Sequence, residues 1–195
     1  MARRGFAAVS PVQSYVKMTT LQTDRLTLRP LTPGDAEAYA AMRFHPEVAR
    51  WLPPAAASDP VEAARGTIER FAAAWRDEGY SPWGVFLDGR LIGHAGLNFV
   101  PEFDATEVLW ALHPHFWSKG YATEVAKAAL AFGFETLGLP LVFAITLESN
   151  VTSQAVMKRI GLTYRKRVEY KGFKDVVWFD VNRADYAASV SIAAR

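Results

Sequence analysis

Three consecutive strand-like segments near the middle of the chain constrain its fold more than any other feature. They read WGVFL (residues 83–87), RLIGHAGLNFV (90–100) and TEVLWALHP (106–114). Asp88 and Gly89 separate the first two segments, and an Asp-Gly pair between apolar runs favours a tight two-residue hairpin. The sequence therefore predicts an antiparallel meander of three strands.

The segments on either side of the meander predict an alternation of helices and strands. Those before it are a half-buried strand, a helix, a proline-rich loop or short helix, and a longer helix (25–31, 32–44, 45–58 and 59–78). Those after it are a helix, a buried strand, a second helix and a closing hairpin (122–137, 141–149, 150–162 and 163–183). The hairpin is predicted to turn at Lys171 and Gly172.

Length and composition favour one globular domain. The chain has 195 residues, of which half are hydrophobic and 22% are charged, and this suffices for one well-buried core. We expect a single α/β domain over residues 20–188, after a flexible extension (1–19) and before a C-terminal tail (189–195). Met18 is a candidate alternative start, because the patterned sequence begins only a few residues later.

Charge and residue content exclude several classes of function. The 22 basic and 20 acidic residues are spread along the chain, which is too balanced for a nucleic-acid-binding protein. The chain has no cysteine, which excludes disulfides, thiolate metal sites and an acyl-cysteine intermediate. Its histidines have no carboxylates at metal-ligand spacing, so no metal is expected. Its apolar runs are too short to span a membrane, and we expect a cytoplasmic protein.

The segment FWSKGYATE (residues 116–124) places small residues where an apolar strand gives way to a helix. At a helix start the first N–H groups have no intrahelical partner, and together with the helix dipole they form a site for phosphate. Gly120 and Ala122 are small enough to let a phosphate approach. The alternative is structural: Gly120 is a turn residue and Thr123 a plain N-cap.

Three motifs in this order resemble the GNAT superfamily of N-acetyltransferases, and more narrowly its RimJ/RimL branch of ribosomal-protein N-acetyltransferases. They are the strand TEVLWAL (106–112), the loop WSKGYATE (117–124) and the segment ESNVTSQAVMKRIGL (148–162). The resemblance covers nearly all of the chain after the first twenty residues. It implies a mixed, mostly antiparallel sheet of about seven strands, with helices on both faces and a splayed central parallel pair.

The resemblance also implies acetyl-CoA as co-substrate, and residues that bind it. The loop and the first helical turn would hold its diphosphate, the strand that precedes them would bond the pantetheine arm, and an asparagine at the next helix would contact the cofactor. The residues implied are Trp117, Ser118, Lys119, Gly120, Tyr121, Ala122 and Thr123, then Ala111 and Leu112, then Asn150. For Asn150 the alternative is a helix N-cap, and one side chain could serve both roles.

Two residues are the candidates for catalysis. Glu107 lies on the strand that would flank the acetyl group and is the candidate general base, directly or through a water; the alternative is a solvated strand residue. Glu148 is a weaker candidate for that role. Many relatives place a tyrosine where this chain has Met157. In the RimL-like branch a serine instead stabilises the departing thiolate, which here implies Ser153. The alternative for Ser153 is a helix-surface serine.

Three functions remain open. The first is acetylation of a protein or peptide N-terminal α-amine, for instance of a ribosomal protein. The second is the same chemistry on a small amine such as a polyamine, an amino acid or an antibiotic. The third is a non-catalytic acyl-CoA-binding module, against which Glu107 and Ser153 count. An acidic substrate groove would favour a polyamine, and an open groove would favour a peptide. The candidate wall residues of the groove, whichever acceptor it binds, are Trp51, Phe99 and Tyr170. A homodimer is left open, because domains of this family often pair.

Overall fold

Eight strands form one sheet in the computed structural model, which describes residues 19–54 and 58–193. The strands are β1 (Leu21–Gln22), β2 (Thr27–Arg29), β3 (Trp83–Leu87), β4 (Arg90–Val100), β5 (Ala105–Leu112), β6 (Leu141–Leu147), β7 (Thr163–Tyr170) and β8 (Phe173–Asn182). Their order is β1-β2-β3-β4-β5-β6-β8-β7. The predicted mixed sheet is confirmed, with one more strand than expected because the two-residue β1 carries too little sequence pattern to be seen.

Helices connect and follow these strands, and each described helix except the last lies where the sequence predicts or allows one. They are α1 (Ala36–Arg43), α2 (Pro46–Ala49), α3 (Pro60–Asp77), α4 (Tyr121–Ala131), α5 (Val151–Arg159) and α6 (Arg183–Ala193). The start of α3 shows why: the side chain of Asp59 accepts the Glu62 N–H at 2.7 Å, and Pro60 lacks the N–H that would otherwise be unsatisfied. After α4 the chain continues into one π-helical turn, Phe132–Thr136.

Both predicted hairpins have the backbone geometry of tight turns. Asp88 and Gly89 have φ values of 49° and 77°, and Lys171 and Gly172 have φ values of 48° and 83°. Two successive positive φ values match the right-handed twist of the flanking strands, and Gly and Asp adopt them at the least steric cost. Next to each turn the register of the hairpin therefore follows from local sequence, whereas irregularities shift the register further along both hairpins.

The β5–β6 pair is the only parallel pair in the described sheet, and it opens shortly after it begins. Its register consists of Thr106 with Val142 and Glu107 with Phe143. Beyond these residues β5 remains paired with β4 up to Leu112, and β6 remains paired with β8 up to Leu147. The result is a gap between two otherwise continuous halves of the sheet.

The helices cover both faces of the sheet. In β5, Val108 and Leu112 belong to the core cluster that contains the buried residues of α4 and α5. Ala111 belongs instead to the cluster formed with α1 and α3. Because successive side chains of a strand point to opposite faces, α4 and α5 lie on one face, and α1 and α3 lie on the other. Glu107 lies four residues before Ala111 on the same strand, so its side chain also faces the α1–α3 side.

Of the two ends of the chain, only the C-terminal end can be compared with expectation, and it differs. The expected extension (1–19) and Met18 lie outside the described residues, apart from Thr19. The expected tail (189–195) begins inside α6, which continues to Ala193. Its anchors are distant in sequence: Arg183 Nη2 donates to the Phe134 carbonyl at 2.8 Å, and Tyr186 donates to Glu135 at 2.8 Å. In the described part of the chain, no helix combines the length and apolar character that crossing a membrane requires.

Candidate active site

A cleft of about 910 Å³ passes through the gap between β5 and β6. It brings together eleven of the twelve predicted site residues: Glu107, Ala111, Leu112, Trp117, Ser118, Gly120, Tyr121, Ala122, Thr123, Asn150 and Ser153. The twelfth, Lys119, is not on its wall. Of the three candidate wall residues, Trp51 lines this cleft, whereas Phe99 lines a separate pocket beside Tyr80.

The loop before α4 lines this cleft and contains a row of backbone N–H groups without acceptors in the described part of the chain. Ser118 and Gly120 have φ values of 60° and 82°, so the chain curls between the short helical turn Pro114–Phe116 and the start of α4. The first helical hydrogen bond of α4 runs from Glu124 N to Gly120 O at 3.0 Å. Among the described residues, no acceptor bonds the N–H groups of residues 118–123. Such a row can bind an anion.

The Trp117 side chain fixes this loop to the end of β5. Its indole N–H donates to the Leu112 carbonyl at 2.7 Å, and its ring packs against both core clusters. The family resemblance implies that Leu112 bonds the pantetheine arm, but the Leu112 carbonyl already has a donor. A ligand in the gap must therefore bond other backbone groups of β5.

The beginning of α5 forms the opposite wall. Asn150 Oδ1 accepts the Ser153 N–H at 3.2 Å, so Asn150 is the N-cap of α5. Its Nδ2 group has no acceptor among the described residues, which leaves it available to a ligand. The Ser153 hydroxyl likewise has no hydrogen-bond partner among them. Met157 lies one turn further on and is fully buried, and its thioether cannot donate a proton.

Glu107 lies at the point where β5 and β6 part. Burial raises the pKa of its carboxyl group from the ordinary 4.5 to about 8, against the opposing effects of Lys171 and of a hydrogen bond from the Ile145 backbone N–H. A carboxyl group with this pKa can take up and release a proton near neutral pH. Glu148, the weaker candidate, does not line the cleft, and its carboxylate is paired with Arg167.

His94 is a cleft residue that the sequence did not single out as functional. Its ring lies in β4, 5.5 Å from the Tyr39 ring and 6.0 Å from the Phe71 ring. Burial, with the nearby charge of Arg43, lowers the pKa of His94 to about 3, so the imidazole is neutral. Its Nδ1 atom is buried with no partner among the described residues. Only the packing of α1 and α3 over β4 reveals this environment, and no local motif signals it.

Charged side chains divide between the two sides of the cleft. Lys127 of α4 and Arg159 of α5 line the α4–α5 side. Arg50, whose guanidinium lies 4.5 Å from the Trp51 ring, lines the α1–α3 side. Of the three carboxylates that line the described cleft, Asp24 and Glu124 lie beside the loop before α4, which leaves Glu107 alone on the α1–α3 side. The sequence motifs identified none of these flanking basic residues.

A comparison with known families explains why these features occur together. The sequence model of the acetyltransferase (GNAT) domain matches residues 25–163 of this chain. The chain belongs to this family. It is therefore an N-acetyltransferase of the GNAT type, and acetyl-CoA is the acetyl donor that the family uses.

Individual relatives agree with this membership. The uncharacterized N-acetyltransferase YoaA of Bacillus subtilis is 31% identical over 144 residues, which are 72% of this chain and 81% of that protein. The FsC-acetyl coenzyme A-N(2)-transacetylase of Aspergillus fumigatus is 32% identical over 153 residues, 74% of this chain and 65% of that protein. The structural match with Mycobacterium smegmatis RimJ in complex with CoA-disulfide covers 92% of this chain and 97% of the RimJ chain, with a TM-score of 0.77. At 20% identity, this last likeness shows that the fold is shared with RimJ.

Proposed function

We propose that this GNAT enzyme transfers the acetyl group of acetyl-CoA to the α-amine of a protein or peptide N-terminus. Acceptor and donor meet in a ternary complex. The amine nitrogen attacks the thioester carbonyl carbon, so that a C–N bond forms and the C–S bond breaks. Glu107 takes one proton from the acceptor ammonium group, which frees the nitrogen lone pair for attack. The nitrogen loses a second proton as the amide forms, and this proton passes to the departing CoA thiolate, which accepts a hydrogen bond from Ser153 in the meantime.

The donor occupies the gap from the α4–α5 side. The free N–H groups of residues 118–123 bind its diphosphate, and the α4 dipole adds about 0.3 to 1 kcal/mol for each well-placed negative charge. Lys127 and Arg159 supply positive charge for the remaining phosphate. The pantetheine arm runs along the free edge of β5 near Ala111, as an added strand would, and the Asn150 amide donates to it.

The raised pKa of Glu107 is the observation that favours an α-amine as the acceptor. An α-amino group has an ordinary pKa of about 7.7 to 8.0 and a lysine side chain one of about 10.4. Proton transfer from an α-ammonium group to a carboxylate of pKa about 8 is therefore nearly thermoneutral. The same transfer from a lysine ammonium group is uphill by about 3 kcal/mol. An α-amine is thus the better match to this base.

A small amine is the second candidate, and the Aspergillus relative is the observation that favours it, because its name describes an N(2)-transacetylase that uses acetyl coenzyme A. Polyamines are the least suitable small amines. The α1–α3 side, from which the acceptor approaches, has Arg50 on its wall and Arg43 close to His94. Among the described residues that line the cleft on this side, Glu107 is the one carboxylate, so a second ammonium group on the acceptor would find no counter-ion there.

An acceptor screen with the full chain tests the proposal. Peptides with a free α-amine, the same peptides with an acetylated N-terminus and one lysine, single amino acids, and spermidine would each be mixed with acetyl-CoA. Thiol release would give the rate, and mass spectrometry the acetylated nitrogen. We expect the free α-amine peptides to have the highest kcat/KM. Faster turnover of spermidine or of the blocked lysine peptides would contradict the assignment.

A further inference from the structure

Arg25, which lies between β1 and β2, contacts the phosphate-binding loop from behind. Its Nη1 group donates to the Lys119 carbonyl at 3.0 Å, and its Nε group donates to Glu124 Oε2 at 2.7 Å. Its backbone N–H donates to the other oxygen of Glu124 at 3.0 Å. The guanidinium group also lies 4.4 Å from the centre of the Tyr121 ring. One side chain thus joins the loop, the first residue of α4 and the fourth.

The contacts of Arg25 with Glu124 also have an electrostatic effect, because they neutralise a carboxylate that lies beside the loop amides. Its carboxylate lines the same cleft as the loop amides. Partial burial opposes its ionisation, but hydrogen bonds from Thr23 and Arg25 and the charge of Arg25 lower its pKa. An ionised carboxylate beside a phosphate site repels the ligand unless a cation neutralises it. Arg25 does not itself line the cleft, so it acts through the loop and through Glu124.

We propose that Arg25 is a positioning residue for diphosphate binding: it neutralises Glu124 and holds the Lys119 peptide so that the amides of residues 118–123 converge. This inference rests on the proposed binding of CoA in the gap. It explains why a carboxylate is tolerated one turn inside a phosphate-binding helix. It also gives a role to residues 23–25, which precede the first strand of the meander by more than fifty positions.

A double-mutant cycle tests the inference by calorimetry with CoA. Arg25→Gln is expected to raise the Kd about tenfold or more, because it leaves Glu124 uncompensated and frees the loop carbonyl. Glu124→Gln alone is expected to have a smaller effect. The double variant Arg25→Gln/Glu124→Gln is expected to bind CoA more tightly than Arg25→Gln, because the unpaired negative charge is gone.

Two controls separate positioning from general loss of structure. Arg165→Gln removes an ion pair of the same exposure, 44% and 14% against 45% and 14% for Arg25 and Glu124, and should leave the Kd for CoA unchanged. S-acetylpantetheine lacks the diphosphate, so its KM should be equal in the wild type and in Arg25→Gln. Thermal unfolding checks that each variant is folded.

The outcomes are distinct. If the wild type binds no CoA, the proposed function fails and this inference fails with it. If the wild type binds CoA but Arg25→Gln binds it equally well, only this inference is overturned. It is also overturned if the double variant binds no better than Arg25→Gln, or if Arg25→Gln raises the KM of S-acetylpantetheine as much as that of acetyl-CoA.

Discussion

Replacing Glu107 with Gln removes one titrating group from the cleft at almost constant shape. With a pKa of about 8 for the free enzyme, the fraction of Glu107 in its basic form is about 10% at pH 7 and about 90% at pH 9. The base-dependent part of kcat/KM should therefore rise about tenfold over these two pH units. At pH 8 the loss of a general base is expected to lower kcat/KM by about 10² to 10⁴.

The assay is the ratio of kcat/KM in the wild type to that in Glu107→Gln, measured from pH 6 to pH 9.5 on one peptide acceptor. The acceptor amine also titrates in this range, but its ionisation is common to both enzymes and cancels in the ratio. Glu148→Gln is the matched control, because that exposed carboxylate lies outside the cleft. A ratio that stays constant between pH 7 and pH 9 would refute the role of Glu107 as base.

The same substitution has a consequence for stability that does not depend on catalysis. In the unfolded chain Glu107 ionises above its ordinary value of 4.5, whereas in the fold it holds its proton up to about 8. The unfolded state therefore binds fewer protons between these values, and stability falls as the pH rises through this window. At pH 7 the difference is about 3 kcal/mol, so Glu107→Gln should unfold at a higher urea concentration than the wild type at pH 7 and not at pH 4.

Three further predictions address the loop, the thiolate and the buried histidine. Ser153→Ala should lower kcat about tenfold and leave the KM for acetyl-CoA within about twofold, since one hydrogen bond to the leaving thiolate is lost; an unchanged kcat in thiol-release assays would argue against that bond. Gly120→Ala should weaken CoA binding about five- to tenfold in calorimetry, because a φ of 82° strains any residue with a Cβ by about 1 kcal/mol or more; equal affinity would mean that the loop tolerates the change. His94 stays neutral in the fold down to about pH 3, whereas in the unfolded chain it is neutral only above about pH 6.5. Between these values the unfolded state binds one more proton, so the stability of the fold decreases as the pH is lowered below 6.5. The loss is about 2 kcal/mol at pH 5. His94→Gln should lack this part of the acid loss in urea titrations at pH 7 and pH 5, and a parallel loss in both proteins would contradict the assignment.

Local sequence predicts those parts of the fold that local interactions determine. The two hairpins depend on Asp88-Gly89 and Lys171-Gly172, and α3 begins at an N-cap followed by proline. The strand β1 was missed, because its two residues become a strand only by pairing with β2. The sequence pattern also does not predict α6, although Asn182 Oδ1 accepts the Asp185 N–H at 2.9 Å and Asn182 Nδ2 donates to the Asp185 carboxylate at 2.9 Å. Its apolar contact, Tyr186 stacked 4.6 Å from Phe134, joins residues far apart in the sequence.

The candidate site divides in the same way. The loop amides and the α5 N-cap lie in contiguous motifs, so their positions follow from the sequence once the helix starts are known. Arg25 and Glu124 are 99 residues apart, and His94 acquires its environment only when α1 and α3 cover β4. No periodicity or motif records such contacts. The pKa of Glu107 belongs with them, because its main cause is burial that no single segment provides.

The position of the site follows from the one parallel connection in the described sheet. Two parallel neighbours need a crossover, and here α4 makes it, which places the N-terminus of α4 just beyond the carboxyl end of β5. The N-terminus of α5 likewise follows the carboxyl end of β6. The N-termini of α4 and α5, both with free polar groups, therefore flank the same gap. There β5 and β6 separate, so their facing backbone groups are not paired with each other. In an α/β sheet, ligands bind beyond the carboxyl ends of the strands where such connections diverge. The loop before α4, the free edge of β5 and the carboxyl group of Glu107 thus lie in one cleft because of strand order, and the chemistry of the cleft depends on the few residues placed there.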